Sequence, residues 1–212
     1  MKIAVTFLVS DIDRLATIKK IDSSTADYIH VDIKDGKFVA NNNFTLNELN
    51  KCFRTTKKPL DVHLMVNKPL KYLKTLALLN TEYFTFHCEI KENINTLIDE
   101  VRNVGLKPGL AINPQTDVKQ VLNYLPNIDM VLILGVTPGF GGQPFQPEML
   151  EKVKVLNKIR EEQGLSFVIS FDGGINDETI DQCRDLGIDI FAVGSYICRS
   201  DDYNQSIANL KS

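Results

Sequence analysis

The stretch YIHVDIKDG, residues 28–36, decides how the chain is read. Side chains alternate across an extended strand. His30, Asp32 and Lys34 therefore share one face, and Val31 and Ile33 share the other. The apolar face suits packing against helices. The polar face then points into an enclosed interior, where three polar side chains in a row are costly without partners.

Working outward, seven more short runs have the same character: Ile3–Val9, Leu60–Val66, Tyr83–Cys88, Pro108–Ile112, Met130–Leu134, Phe167–Phe171 and Ile188–Val193. Most of their residues are β-branched or aromatic, as expected of strands buried on both faces. Helix-like segments lie between them. Leu70–Leu79 is one, and Ile94–Val104 carries Ile94, Leu97, Ile98 and Val101 at helical spacing. Met149–Arg160 and Thr179–Leu186 follow, and Gly105 and Gly187 stand where helices should end. Eight alternations in 212 residues give about 26 residues per unit. Strand–helix alternation implies parallel pairing with right-handed crossovers. The expected architecture is one (β/α)8 TIM barrel over residues 1–212, near the short end of a size range of roughly 200 to 400. A doubly wound open sheet competes, and the strand count favours the barrel.

Composition narrows the function. A net charge of −3 leaves no basic footprint for nucleic acid, and no apolar run is long enough to span a membrane. The start, MKIAVTFLVSD, places a lysine before a short apolar run, but Asp11 and Asp13 follow with no small-residue cleavage site. It reads as a buried first strand, not a signal peptide. Cys52, Cys88, Cys183 and Cys198 form no CxxC pair. They read as reduced thiols of a cytoplasmic protein, with Cys88 as a small core filler.

In such a barrel, chemistry sits where strands end. His30 and Asp32, then His63, then His87 and Glu89 close the second, third and fourth strands, so all three histidines of the chain stand at expected strand ends. The sixth strand leads into GVTPGFGGQPF, residues 135–145, with Gly139, Gly141 and Gly142 within four residues. Such a loop lets backbone N–H groups crowd an anion, or it is simply a loose loop. Asp172-Gly173-Gly174 and Gly194-Ser195 end the last two strands, where barrels of this kind often hold a phosphate. One side of the mouth thus carries His30, Asp32, His63 and Asp172, and the other carries glycine backbone. That describes a sugar-phosphate enzyme with two carboxylates and a candidate metal site.

HVDIKDGKFVAN, DVHLMV, FHCE, PGFGGQPF, DGGI and GS occur in this order over nearly the whole chain. Together they resemble the ribulose-phosphate 3-epimerases and the related allulose-6-phosphate 3-epimerases. The resemblance implies a (β/α)8 barrel that inverts the carbon next to a ketone in a phosphorylated ketose. It implies His30, Asp32, His63 and Asp172 as metal ligands, with Asp32 and Asp172 as the acid–base pair. It implies substrate and phosphate contacts at Thr6, His63, Gly139, Phe140, Gly141, Gly142, Gly173, Gly174, Gly194 and Ser195. The implied metal is Zn2+, with Fe2+, Mn2+ and Co2+ as alternatives, and the implied assembly is a homo-oligomer.

The chain departs from that pattern in four places. Lys34 and Leu134 replace methionines, Gly135 replaces a threonine, and Thr6 replaces a serine, while Met65 is retained. Lys34 matters most. A positive charge about 5 Å from a divalent ion, at an effective dielectric near 20, costs on the order of 6 kcal/mol. Three placements are open: the head reaches a carboxylate such as Asp35 or the substrate, it replaces the metal, or it points to solvent. The leading function is epimerisation of D-ribulose 5-phosphate. The alternatives are another sugar phosphate, such as a six-carbon ketose or a decarboxylation substrate, and a non-catalytic sugar-phosphate binder. The charged segments 147–163 and 199–211 read as solvated faces. His87 and Glu89 are expected to give supporting hydrogen bonds.

Overall fold

The computed structural model describes residues 1–7 and 13–212. Eight strands alternate with helical segments: β1 (Lys2–Thr6), β2 (Tyr28–Lys34), β3 (Leu60–Met65), β4 (Thr81–His87), β5 (Lys107–Ile112), β6 (Met130–Leu134), β7 (Val168–Asp172) and β8 (Ile190–Val193). They close into a barrel in sequence order, with every neighbouring pair parallel and β8 returning to β1. This is the (β/α)8 barrel expected from the alternation, and the open sheet is excluded. The strands lie within about two residues of the expected runs, except that β1 stops at Thr6. The rest of the first run, Leu8 and Val9, falls outside the described residues, as does Asp11.

The alternation seen in the sequence is the alternation of the barrel wall. Ile29, Val31 and Ile33 of β2 join the large cluster beneath the outer helices. The inward residues Ala4, Tyr28, Tyr83, Met130 and Ile190 form a separate plug, with the Tyr28 and Tyr83 rings edge to face at 5.9 Å. Above this plug the interior turns polar. His30, Asp61, His63, Thr85, His87 and Ser170 are all buried there.

The outer helices are α1 (Arg14–Asp22), α2 (Leu46–Phe53), α3 (Leu70–Leu76), α4 (Ile94–Asn103), α5 (Leu150–Gln163), α6 (Ser195–Cys198) and α7 (Tyr203–Lys211). Thr45 opens α2 with a capping box closed by Glu48, which satisfies backbone donors that a helix start leaves free. Gly105 and Gly187 adopt φ of 84° and 87°, in the left-handed region where glycine is at ease. The helix expected over Thr179–Leu186 is a correction: only a 3-10 turn, Ile180–Cys183, forms there. Arg184 leaves the helical region at ψ 149° and Asp185 turns to φ 60°, which ends the turn early. The crossover after β5 is likewise made of two 3-10 turns, Val118–Gln120 and Leu122–Asn127. The charged segments are amphipathic: α5 buries Val153 and Leu156, and α7 buries Tyr203, Ile207 and Leu210.

The four cysteines are free thiols. Burial, with Glu89 nearby, pushes Cys88 up to about 12, so it stays a neutral filler. Among the described residues, no helix is long and apolar enough to cross a membrane.

Candidate active site

Strand β2 delivers His30, Asp32 and Lys34 inward because its other face is committed to the apolar shell. His30 Nδ1 lies 2.8 Å from Asp61 Oδ2 on β3. Asp61 is an acceptor, so Nδ1 carries the proton, and Nε2 is left buried with no hydrogen bond among the described residues. Asp32 accepts from Thr6 Oγ1 at 3.1 Å through Oδ2. Its Oδ1 lies 2.9 Å from His63 Nδ1 and 3.4 Å from His30 Nε2. Asp172, at the end of β7, brings Oδ2 to 4.0 Å from His30 Nε2.

One ligand atom from each of His30, Asp32, His63 and Asp172 lies within 4.8 Å of the others. Two imidazoles and two carboxylates form a donor set suited to zinc or a similar divalent ion. The orphaned His30 nitrogen is what such an ion would satisfy, so the residues present fit a metal.

The two carboxylates differ electrically. Burial would raise Asp32, but His30 and His63 beside it outweigh burial and hold it well below the usual carboxylate range. Burial and the charge of Asp32 push Asp172 up. One carboxylate is thus kept ionised and its neighbour is biased toward the protonated form. Burial lowers His63 to about 4, so it is neutral. Burial also opposes a charge on His30, yet Asp32 and Asp61 raise it.

Supporting bonds run deeper. His63 Nε2 lies 2.8 Å from His87 Nε2, and His87 Nδ1 lies 3.1 Å from Glu89 Oε2. Glu89 also accepts from the Asn113 N–H at 2.9 Å and from the Thr116 hydroxyl. Burial favours its neutral form, but these three donors bring it down to about 2.

Lys34 is buried, with 4% of its surface exposed, which corrects the expectation of a solvent-facing head. Asp35 is not its partner either, because the Asp35 carboxylate is taken by the N–H groups of Lys37, Phe38 and Asn67. Instead, Lys34 Nζ donates to the carbonyl of Gly139. It lines an outer cavity with Asp35, Asn42 and Asn43, while Asp32 and Asp172 line the pocket at the barrel mouth. Burial lowers the Lys34 amine and the charges of Asp32 and Asp172 raise it, so the amine stands near these carboxylates but forms no ion pair with one among the described residues.

All ten expected substrate-contact residues line that one pocket: Thr6 and His63, the run from Gly139 to Gly142, Gly173, Gly174, Gly194 and Ser195. The loop after β6 is braced from within, because Gln143 Nε2 donates to the carbonyls of Thr137 and Phe140, both at 2.7 Å. Phe140 stands at its tip, 64% exposed. Gly174 has φ 68°, and a Cβ there would lie 2.5 Å from the Phe145 backbone. Met65 and Leu134 complete an apolar floor. A Cβ on Gly135 would come within 2.6 Å of the Phe171 ring, so a side chain there would displace that ring.

The sequence reading missed Asp61 as the partner of His30, and also the amides Asn41, Asn43 and Gln143. Asp61 was within reach of the argument. It precedes His63 by two on one strand and so shares its inward face. The amides act across loops and leave no periodic signal.

A parallel eight-stranded barrel with two carboxylates, two histidines and a glycine-lined wall at its strand ends defines an enzyme of the (β/α)8 class. Residues 2–198 match the Ribulose-phosphate 3 epimerase family, and the chain belongs to that family. It is 36% identical to the ribulose-phosphate 3-epimerase of Mycobacterium bovis over 209 residues, covering 99% of this chain and 91% of that protein. It is 34% identical to that of Helicobacter pylori over 212 residues, covering 100% and 97%. Among solved structures, KGPDC from Streptococcus mutans superposes with a TM-score of 0.71 at 14% identity, covering 99% of this chain and 95% of that one. That likeness shows the shared barrel.

Proposed function

We propose that the protein inverts carbon 3 of a ketose phosphate, interconverting D-ribulose 5-phosphate and D-xylulose 5-phosphate. The observation that carries this is the pairing of Asp32 and Asp172 in one pocket, pushed in opposite directions by their surroundings. Epimerisation must remove a weakly acidic proton from one face of the carbon and return one to the other. An ionised carboxylate on one side and a protonated one on the other can do both. Asp32 takes the first role for one direction of the reaction and Asp172 the second. Thr6 fixes the Asp32 carboxylate, and Met65 and Leu134 keep water from the carbanionic intermediate.

A divalent ion, which we take to be Zn2+, would be held by His30, Asp32, His63 and Asp172 and would supply Lewis-acid stabilisation of the enediolate oxygens. The phosphate would lie against the backbone of Gly173, Gly174, Gly194 and Ser195. We further take residues 1–212 as a single catalytic barrel of a cytoplasmic homo-oligomer, with no nucleic-acid or membrane partner.

The test is proton exchange. Incubated with D-ribulose 5-phosphate in deuterium oxide, the protein should wash out the carbon-3 proton, followed by NMR, as D-xylulose 5-phosphate appears. A chelator should slow the exchange and added zinc restore it. Exchange only with a six-carbon ketose phosphate would reassign the substrate. No exchange with any metal or ketose phosphate would leave a binder.

A further inference from the structure

Lys34 stands where the resemblance has methionine, and a methionine could fill the same buried volume. What lysine adds is a charged donor. Among the described residues, no carboxylate forms an ion pair with it. Among the described residues, Nζ donates to the Gly139 carbonyl alone, and Asn41 Nδ2 donates to the same oxygen at 2.8 Å. A carbonyl has two lone pairs, so this one is saturated.

Both donors come from one rigid unit. The Lys34 N–H donates to Asn43 Oδ1 at 2.9 Å, and Asn43 Nδ2 donates to the Asp32 carbonyl at 2.7 Å. The Gly36 N–H donates to the Asn41 carbonyl at 3.0 Å, and Asp35 bridges Asn42. The acceptor belongs to a different unit. Gly139 takes φ 111°, a conformation that side-chain-bearing residues rarely adopt, and the following residues Phe140, Gly141 and Gly142 line the pocket with Asp172. The end of β2 thus reaches across the mouth and holds the loop after β6.

We propose that Lys34 is a positioning residue: with Asn41, it straps the 137–143 loop at the pocket through the Gly139 carbonyl. The strap orders the loop before substrate arrives, so less ordering remains to be done on binding. Its effect falls on substrate affinity, not on the proton-transfer step. The kinetic consequence rests on the epimerase reading, but the strap itself does not.

Hydrogen–deuterium exchange of the full chain tests it, on wild type, Lys34→Met, Asn41→Ala and the double variant. Loss of a charge-assisted bond should speed exchange of the 137–143 amides roughly 10- to 100-fold in Lys34→Met, and loss of the neutral bond roughly 2- to 10-fold in Asn41→Ala. Amides of α5 should not change. In Asn41→Ala, KM for the ketose phosphate should rise severalfold with kcat within about twofold, and zinc content by elemental analysis should stay constant in every variant. Loop exchange within twofold of wild type in both Lys34→Met and the double variant would overturn the strap. So would a gain of zinc in Lys34→Met, which would place the ammonium in the metal cluster. Should Lys34→Met fail to fold, unchanged loop exchange in Asn41→Ala would overturn it instead. Faster loop exchange in a protein that epimerises no ketose phosphate would keep the strap and sink the function.

Discussion

At the ends of β1, β2, β3 and β7, the pocket is walled by side chains: Thr6, Asp32, His63 and Asp172, tied to one another and to buried partners. Across from them, after β6, β7 and β8, the wall is backbone: Gly139, Gly141, Gly142, Gly173, Gly174 and Gly194. The first wall stores charge and protons, and its geometry is set by hydrogen bonds. The second offers N–H groups to an anion, and its geometry is set by φ angles and by the room that a missing Cβ leaves. Substitutions should therefore fail differently on the two sides. The side-chain wall should lose chemistry with the fold intact. The glycine wall should lose fold and binding together.

The largest effect is expected at Asp172. Asp172→Asn keeps the shape and removes the proton. Turnover should fall by roughly 10²- to 10⁴-fold, the usual worth of a general acid–base group. Thermal stability should not fall, because the asparagine is neutral where burial and Asp32 disfavour a carboxylate. Single-turnover exchange and a melting curve check both halves of this. Activity within tenfold of wild type would remove Asp172 from the acid–base pair.

Gly174→Ala attacks the other wall. Its Cβ would need φ 68° and would meet the Phe145 backbone at 2.5 Å, so the loop must move. A cost of roughly 3 kcal/mol in stability is expected, with KM raised as well. Gly105→Ala is the control, since φ 84° strains it equally but nothing lies within 4 Å. It should cost only about 1 kcal/mol and leave KM alone. Denaturant titration of both variants decides the matter. Equal costs would mean that backbone strain, and not the close approach, shapes the glycine wall.

The two walls were also unequally legible in the sequence. His30, Asp32 and His63 could be placed because a strand alternates strictly, so a residue type and a position fix a direction. The glycines of 139–142 could be seen as a cluster, but spacing alone left a phosphate cradle and a loose loop equally open. The braces that hold the loop, Gln143 on Thr137 and Lys34 on Gly139, join residues with no periodic relation. The same limit hid the fate of Thr179–Leu186, where an apolar helical spacing meets a left-handed Asp185. Lys34 shows it most plainly. Alternation correctly turned it inward, yet its partner lies 105 residues away on another loop.

The smallest effect sharpens the comparison, because it asks how far the side-chain wall reaches. Glu89 is ionised and can only accept, so His87 gives it the Nδ1 proton. With that proton on Nδ1, His87 Nε2 can accept from His63 Nε2 once a metal takes His63 Nδ1 from its 2.9 Å bond to Asp32. Glu89 thus sets which His63 nitrogen a metal can use, from two side chains away. Glu89→Gln is nearly isosteric, but its amide can donate to His87 and reverse the chain of donors, putting a proton on His63 Nδ1. Zinc affinity, measured by competition with a chelating dye, should weaken about 10- to 100-fold, the usual worth of an outer-shell partner. Long-range nitrogen–proton NMR of the three histidines should show the His63 proton change nitrogen. An unchanged zinc affinity would end the side-chain wall at His63 and reduce His87 and Glu89 to packing.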